Sequence, residues 1–173
     1  MIKKAIYILM FSLSFFSCKK EQVKEKNTVE DEIVSSVKTY NYNDLKSFLE
    51  KKDDKIYVIN FWATWCAPCV KELPYFERIK QEYADKNVEV LLVSLDFPKQ
   101  VDKKLIPFIN KNKIQSEVVL LDDINEDVWI KAIDESWSGA IPATIIYNKN
   151  NRKFYEKSFD YETLKTELLT FIN

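Results

Sequence analysis

Histidine is absent from this chain of 173 residues, glycine occurs once and cysteine three times. The missing imidazole narrows metal and haem chemistry at once. A structural zinc site built on a cysteine pair needs two further Cys or His ligands. Only Cys18, in an apolar leader, is left to contribute. Covalent haem attachment needs His directly after Cys-x-x-Cys, where this chain has Val70. A copper chaperone would also be expected to recruit His. With Gly139 the only glycine, turns fall to Asn and Asp, the other residues that tolerate left-handed backbone. Asn148-Lys149-Asn150-Asn151 suits that role. Excess charge is also missing: 26 basic against 27 acidic side chains give a net charge of −1. That balance leaves no electrostatic footprint for nucleic acid.

No apolar run is long enough to span a bilayer comfortably. The run at 5–17 follows Lys3 and Lys4 and covers thirteen residues, the length of a signal-peptide core. No small-x-small cleavage site follows it. Phe16-Ser17-Cys18 ends the run and Lys19-Lys20-Glu21 begins at once. A small residue directly before Cys resembles a bacterial lipoprotein signal, in which Cys18 is lipidated and becomes the mature N-terminus. Phe15 departs from the Leu usual at that place, and a retained short anchor or ordinary secretion are the alternatives. Residues 19–36 are rich in Lys and Glu and read as a solvated tether. The expected organisation is a leader at 1–18, a charged tether at 19–36 and one domain at 37–173.

What the chain does have is Trp65-Cys66-Ala67-Pro68-Cys69, between an apolar run at 56–62 and a segment of helical periodicity. A Cys-x-x-Cys pair at a strand-to-helix junction is a redox device. The first thiol meets the unpaired N–H groups and positive dipole end of the helix, which favour a thiolate. The second lies about one turn on, close enough to close a disulfide. Proline in the first helical turn costs no hydrogen bond. Two buried, inert thiols are the plainer alternative.

Periodicity supplies the frame. Strands are expected at 37–40, 55–62, 88–95, 117–121, 143–147 and 153–159. Helices are expected from an Asn43 cap to 51, from the redox pair to 85, at 98–112, at 125–134 and at 161–172. Pro74 lies inside the redox helix and should kink it, and Pro107 should break or delay the next. The short helix at 125–134 carries Val128, Trp129 and Ile133. Strands joined by helices, followed by a hairpin, give an α/β fold: a mixed central sheet with helices on both faces.

The block from Asn60 through Cys69, with Lys71-Glu72-Leu73-Pro74 behind it, resembles the thioredoxin superfamily. It is most similar to exported, membrane-anchored thiol–disulfide oxidoreductases of the TlpA/ResA type. Ile141-Pro142-Ala143-Thr144 resembles that family's cis-proline loop, which lies against the redox pair. The resemblance implies a thioredoxin-like fold over roughly 37–173, with no cofactor and no metal. It implies Cys66 as a partly exposed nucleophile and Cys69 as the shielded thiol that resolves the mixed disulfide. Ala67 and Pro68 carry no imidazole to stabilise the thiolate, which favours a reductant. A cis Pro142 would leave the backbone of Ile141 to pair with an extended substrate; a rigid packing loop is the alternative.

Glu72 is expected to handle protons or tune the thiols, against the reading of an ordinary solvated helix charge. Asn60 departs from cytosolic thioredoxin, which has Asp there, and cannot relay a proton. Trp65 and Trp62 are expected to cover the disulfide and form a contact surface, with packing alone the alternative for Trp62. Lys157-Ser158-Phe159 lacks the glycines usual beside the groove, which implies a groove of different shape. The function expected is an extracytoplasmic disulfide reductase in a bacterial envelope, facing the periplasm. Its expected partners are disulfide-containing envelope proteins, a membrane electron donor, and the membrane itself through a lipid anchor. The rival is a non-catalytic or chaperone-like binding module on the same fold.

Overall fold

Runs of β-branched and aromatic residues set the centre of the sheet. The computed structural model describes residues 33–172. The leader with Cys18 and most of the 19–36 segment lie outside the described residues. Six strands, β1 (Lys38–Tyr40), β2 (Ile56–Trp62), β3 (Val88–Ser94), β4 (Glu117–Leu121), β5 (Ala143–Tyr147) and β6 (Arg152–Tyr155), form one sheet in the order β1-β4-β3-β2-β5-β6. The first four are mutually parallel, and β5 and β6 run antiparallel to their neighbours. The helices are α1 (Tyr42–Leu49), α2 (Ala67–Glu82), α3 (Ile106–Asn112), α4 (Glu126–Ile133) and α5 (Tyr161–Leu169). This is the mixed sheet that the sequence pattern predicts, and it agrees with the thioredoxin-like fold that the resemblance implies.

Every residue of β2 is buried, as a parallel strand covered on both faces requires. Alternation along the strand sorts its side chains. Ile56, Val58 and Trp62 join the layer under α2, the 98–112 segment and α5, with Leu73, Phe76, Leu105 and Leu164. Tyr57, Ile59 and Phe61 join the opposite layer under α1 and α4, with Leu45, Trp129 and Ile133. Trp137 fills the centre of that second layer. Its ring lies 4.9 Å from Phe61, 5.6 Å from Trp129 and 5.7 Å from Phe154. Asn60 falls by parity on the α2 face, which decides what it meets below.

Several boundaries differ from the expectation for local reasons. Asn41, two residues ahead of Asn43, caps α1, its Oδ1 accepting the Asp44 N–H at 3.0 Å. Helix α2 stops at Glu82, and a 3₁₀ turn (Ala84–Lys86) leads to Asn87 at φ 57°. Pro107 occupies the second position of α3, where its missing N–H costs nothing. The chain reaches it through a 3₁₀ turn and a wider π turn over Val101–Leu105. Of the apolar residues on α4, Val128 is exposed, and Trp129 and Ile133 are buried. The β5–β6 turn is the Asn-rich one: Asn148 Oδ1 accepts the N–H groups of Asn150 and Asn151, both at 2.9 Å. Ahead of β1, the Asn110 side chain bonds both main-chain groups of Val34 at 2.9 Å, so the chain is already held on the domain there.

Candidate active site

Cys66 occupies the N-cap position of α2, and Ala67 and Pro68 open its first turn exposed to solvent. Cys66 and Cys69 are joined in a disulfide with Cα atoms 5.3 Å apart. Cys66 Sγ also accepts the Cys69 N–H at 3.3 Å, so one unpaired donor of the helix start already points at the sulfur. That donor and the helix dipole favour negative charge on Cys66 once the bond is reduced. Cys66 is only 6% exposed, less than expected for an open nucleophile, but Cys69 is completely buried. Cys66 is thus the more exposed of the two sulfurs, though less open than expected.

The Ile141–Pro142 peptide bond is cis, and Ile141 presents its carbonyl oxygen 3.8 Å from Cys66 Sγ. Pairing of β5 with β2 sets this approach. Ala143 sits opposite Phe61, which places Ile141 and Pro142 just beyond the strand end, over the redox turn. Gly139, at φ +94°, gives the same loop a backbone conformation that side chains with a Cβ rarely adopt. The lone glycine of the chain is thus spent on the loop above the disulfide.

Glu72 lies one turn beyond Cys69 and is wholly buried, so the solvated-charge reading is wrong. Its Oε1 accepts Asn60 Nδ2 at 2.9 Å; its Oε2 accepts the Phe159 N–H at 2.7 Å and Ser158 Oγ at 3.1 Å. Burial pushes the carboxyl above its ordinary range, and the three hydrogen bonds only partly oppose that shift. Asn60 Nδ2 also reaches Thr144 Oγ1 at 3.1 Å, while Asn60 Oδ1 is buried without a partner. The segment 157–159, noted for lacking glycine, is therefore the one that supplies two of the donors to Glu72.

The two tryptophans separate. Trp65 is 55% exposed beside Cys66, whereas Trp62 is fully buried, its ring 5.4 Å from Phe108. Trp62 belongs to the core and forms no contact surface. One residue escaped the sequence reading. Asp96, just after β3 and almost fully buried, accepts the Thr64 N–H at 3.0 Å, Thr64 Oγ1 at 2.5 Å and Ser94 Oγ at 2.9 Å. It pins the turn that delivers Trp65 and Cys66. A carboxylate directly after a buried strand was the available signal, but its partner is 32 positions away.

The AhpC/TSA family pattern matches residues 29–152, well over half of the chain. The chain belongs to the AhpC/TSA family. Within this AhpC/TSA protein the matched span includes the disulfide, Asp96 and the Pro142 loop, but ends before Ser158 and Phe159. The chain is 29% identical over 94 residues to the thiol-disulfide oxidoreductase ResA of Bacillus thuringiensis (strain Al Hakam), covering 54% of this chain and 49% of that protein. It is 40% identical over 63 residues to the thioredoxin-like protein YneN of Bacillus subtilis (strain 168), covering 36% of each. These matches span half or less of the relatives' length. Among solved structures it resembles a thioredoxin-family thiol:disulfide interchange protein from Chlorobium tepidum TLS, with a TM-score of 0.59 and 16% identity over 74% of this chain and 85% of that one. It also resembles StoA from Bacillus subtilis, with a TM-score of 0.50 and 26% identity over 67% and 83%. The fold of this AhpC/TSA chain is accordingly thioredoxin-like.

Proposed function

We propose that this protein is a thiol–disulfide oxidoreductase of the bacterial cell envelope, working as a disulfide reductase. The observation that carries the reading is the Cys66–Cys69 disulfide at the start of α2, with the Ile141 carbonyl beside its outer sulfur. In the reducing direction the Cys66 thiolate attacks a substrate disulfide. A mixed disulfide forms, and the departing substrate sulfur leaves as a thiolate that takes up a proton. Cys69, deprotonated, then attacks Cys66 Sγ; the second substrate thiolate departs, and two electrons have passed from the dithiol to the substrate. Glu72, buried one turn from Cys69 with its proton affinity raised, would accept the Cys69 proton in that step. Asn60 orients Glu72 and Trp65, Ala67 and Pro68 offer the exposed contact face.

The reducing direction rests on Ala67 and Pro68, which bring no cation to the thiolate. A less stabilised thiolate leaves the disulfide form relatively favoured and lowers the potential. A membrane dithiol donor would restore Cys66 and Cys69 after each cycle. The composition of the leader supports periplasm-facing attachment through a lipid on Cys18, with 19–36 as tether and 37–173 as the working domain. Substrates would be disulfide-bearing envelope proteins.

Equilibration with glutathione or dithiothreitol buffers should give a potential nearer about −270 mV than about −120 mV. A value above about −150 mV would place the protein with the oxidants. Insulin reduction separates this reading from a chaperone-like module that only holds partners. A fatty-acid probe should label the native chain and not Cys18→Ala.

A further inference from the structure

A groove of about 360 Å³ opens beside the disulfide. Its lining includes Trp65, the chain neighbour of Cys66, and Ile141, whose carbonyl lies 3.8 Å from Cys66 Sγ, together with the loop after β4 and the first turn of α4. Three large apolar side chains stand at its rim in solvent: Trp65 at 55%, Phe97 at 60% and Ile124 at 93% exposure. Its lining carries Asp96, Asp122, Asp123 and Glu126 and no Lys or Arg. Asp96 and Asp123 are committed to the chain itself. Asp123 accepts the N–H groups of Tyr42 and Asn125, which hold its carboxyl below the usual range. Asp122 and Glu126 are exposed, and no ion pair of the described residues involves either. Among the described residues no group of three or more His, Cys, Asp or Glu side chains is placed to hold a metal ion.

We propose that this groove selects an extended partner segment carrying Arg or Lys next to its reactive cysteine. The cation lies against Asp122 and Glu126, and an apolar neighbour packs on Phe97 and Ile124. Charge complementarity decides the occupant: one wall bears only negative charge, and the apolar rim provides contact area without opposing it. An acidic segment would meet like charges on entry. The proposal rests on the oxidoreductase reading and adds a substrate class to it. Pairs at such exposed positions are individually weak, so the selectivity is a preference and falls with salt.

The test uses two disulfide-linked peptide dimers that differ only in Arg or Glu beside Cys, with Phe as the next residue. Rates with the reduced protein are divided by rates with dithiothreitol, which removes the intrinsic reactivity of each dimer. The Arg:Glu ratio should be about three to ten at low ionic strength, from two weak pairs, and should shrink in 0.5 M salt. Asp122→Asn with Glu126→Gln should bring the ratio towards one, and Asp122→Lys with Glu126→Lys should invert it. Taking the ratio within each protein cancels any change in overall reactivity. A wild-type ratio of one, or a ratio that survives both double variants, overturns the proposal. Should the wild type reduce neither dimer nor insulin, the enzyme reading fails, and binding decides the groove. For that arm Cys66→Ser/Cys69→Ser protein is titrated with the same peptides bearing Ser for Cys. Shifts of the Trp65 indole and Phe97 signals with the Arg peptide alone support the site; equal responses overturn it. So would self-association that shifts those signals without peptide, since a second copy would then be the occupant.

Discussion

Replacing Glu72 by Gln keeps the side-chain shape and removes the charge. In the native protein the carboxylate has zero exposure and takes hydrogen bonds from Asn60, Ser158 and the Phe159 N–H. Burial outweighs those bonds, so the folded protein holds the Glu72 proton above the ordinary value of 4.5. A raised acid contributes stability that is fully present below its unfolded pKa and is lost as pH rises through the folded pKa. Gln has no proton to lose and contributes no such slope. The stability of Glu72→Gln minus that of wild type should therefore climb as pH rises from 4.5 through the raised native value. Its slope is capped at about 1.4 kcal/mol per pH unit, the limit for one proton. The starting offset comes from geometry. With the Gln oxygen on the Phe159 N–H, its amide nitrogen faces Asn60 Nδ2, a donor against a donor. A half-turn of the Asn60 amide brings its unpartnered Oδ1 to the Gln at the expense of the present Nδ2 contacts. That exchange should cost about 1 kcal/mol at the acid end. Glu72→Ala is harsher at low pH, because the Phe159 N–H is then buried without an acceptor, at about 1–3 kcal/mol. Urea unfolding of the oxidised proteins between pH 4 and 8, followed by tryptophan fluorescence, gives both curves. A difference that stays flat or falls with pH would mean that the hydrogen bonds, and not burial, control this carboxylate.

Limited iodoacetamide treatment of the reduced protein at mildly acidic pH should modify Cys66 before Cys69, by at least several-fold; faster labelling of Cys69 would reverse their roles. Asp96→Ala removes the acceptor for the Thr64 N–H and hydroxyl and should cost about 1–3 kcal/mol in denaturant titration, with faster alkylation of reduced Cys66 as the turn loosens. Gly139→Ala places a Cβ 3.1 Å from Ile130 Cδ1 at φ +94° and should lower stability by roughly 1–2 kcal/mol; an unchanged Tm would show that the loop relaxes freely.

The parts of the fold that could be read from sequence are those buried on both faces. Strand β5 spans the residues expected of it, and β2 coincides with the apolar run at 56–62, one residue shorter than the expected strand. Each is covered by helices or flanking strands, so apolar content alone marks it. Half-exposed elements carried less information. Asn41 and Asn43 offer the same capping chemistry two residues apart, and only the bond to Asp44 chooses between them. Val128 adjoins Trp129 on α4, and whichever the sheet accepts sets the rotation of the helix. The cysteine pair and the cis Pro142 were legible because each is tied to a short motif, whereas the burial of Glu72 was left open. Asp96, Ser158 and the acidic groove were not, because each depends on contacts between segments far apart in the chain.

The order in which the chain is made gives the redox turn a particular vulnerability. Cys69 precedes Ile141 by 72 positions (141 − 69), so a growing chain carries both thiols long before the residues that roof them exist. Until β5 adds to β2, no carbonyl lies over Cys66, and Glu72 lacks its donors from residues 158 and 159. Cys18 is present in the nascent chain throughout that interval. If the chain enters an oxidising compartment before its C-terminal third has followed, Cys18 competes with Cys69 as the partner of Cys66. A lipid on Cys18, if it is attached as proposed above, would take the one competing thiol out of the reaction during assembly.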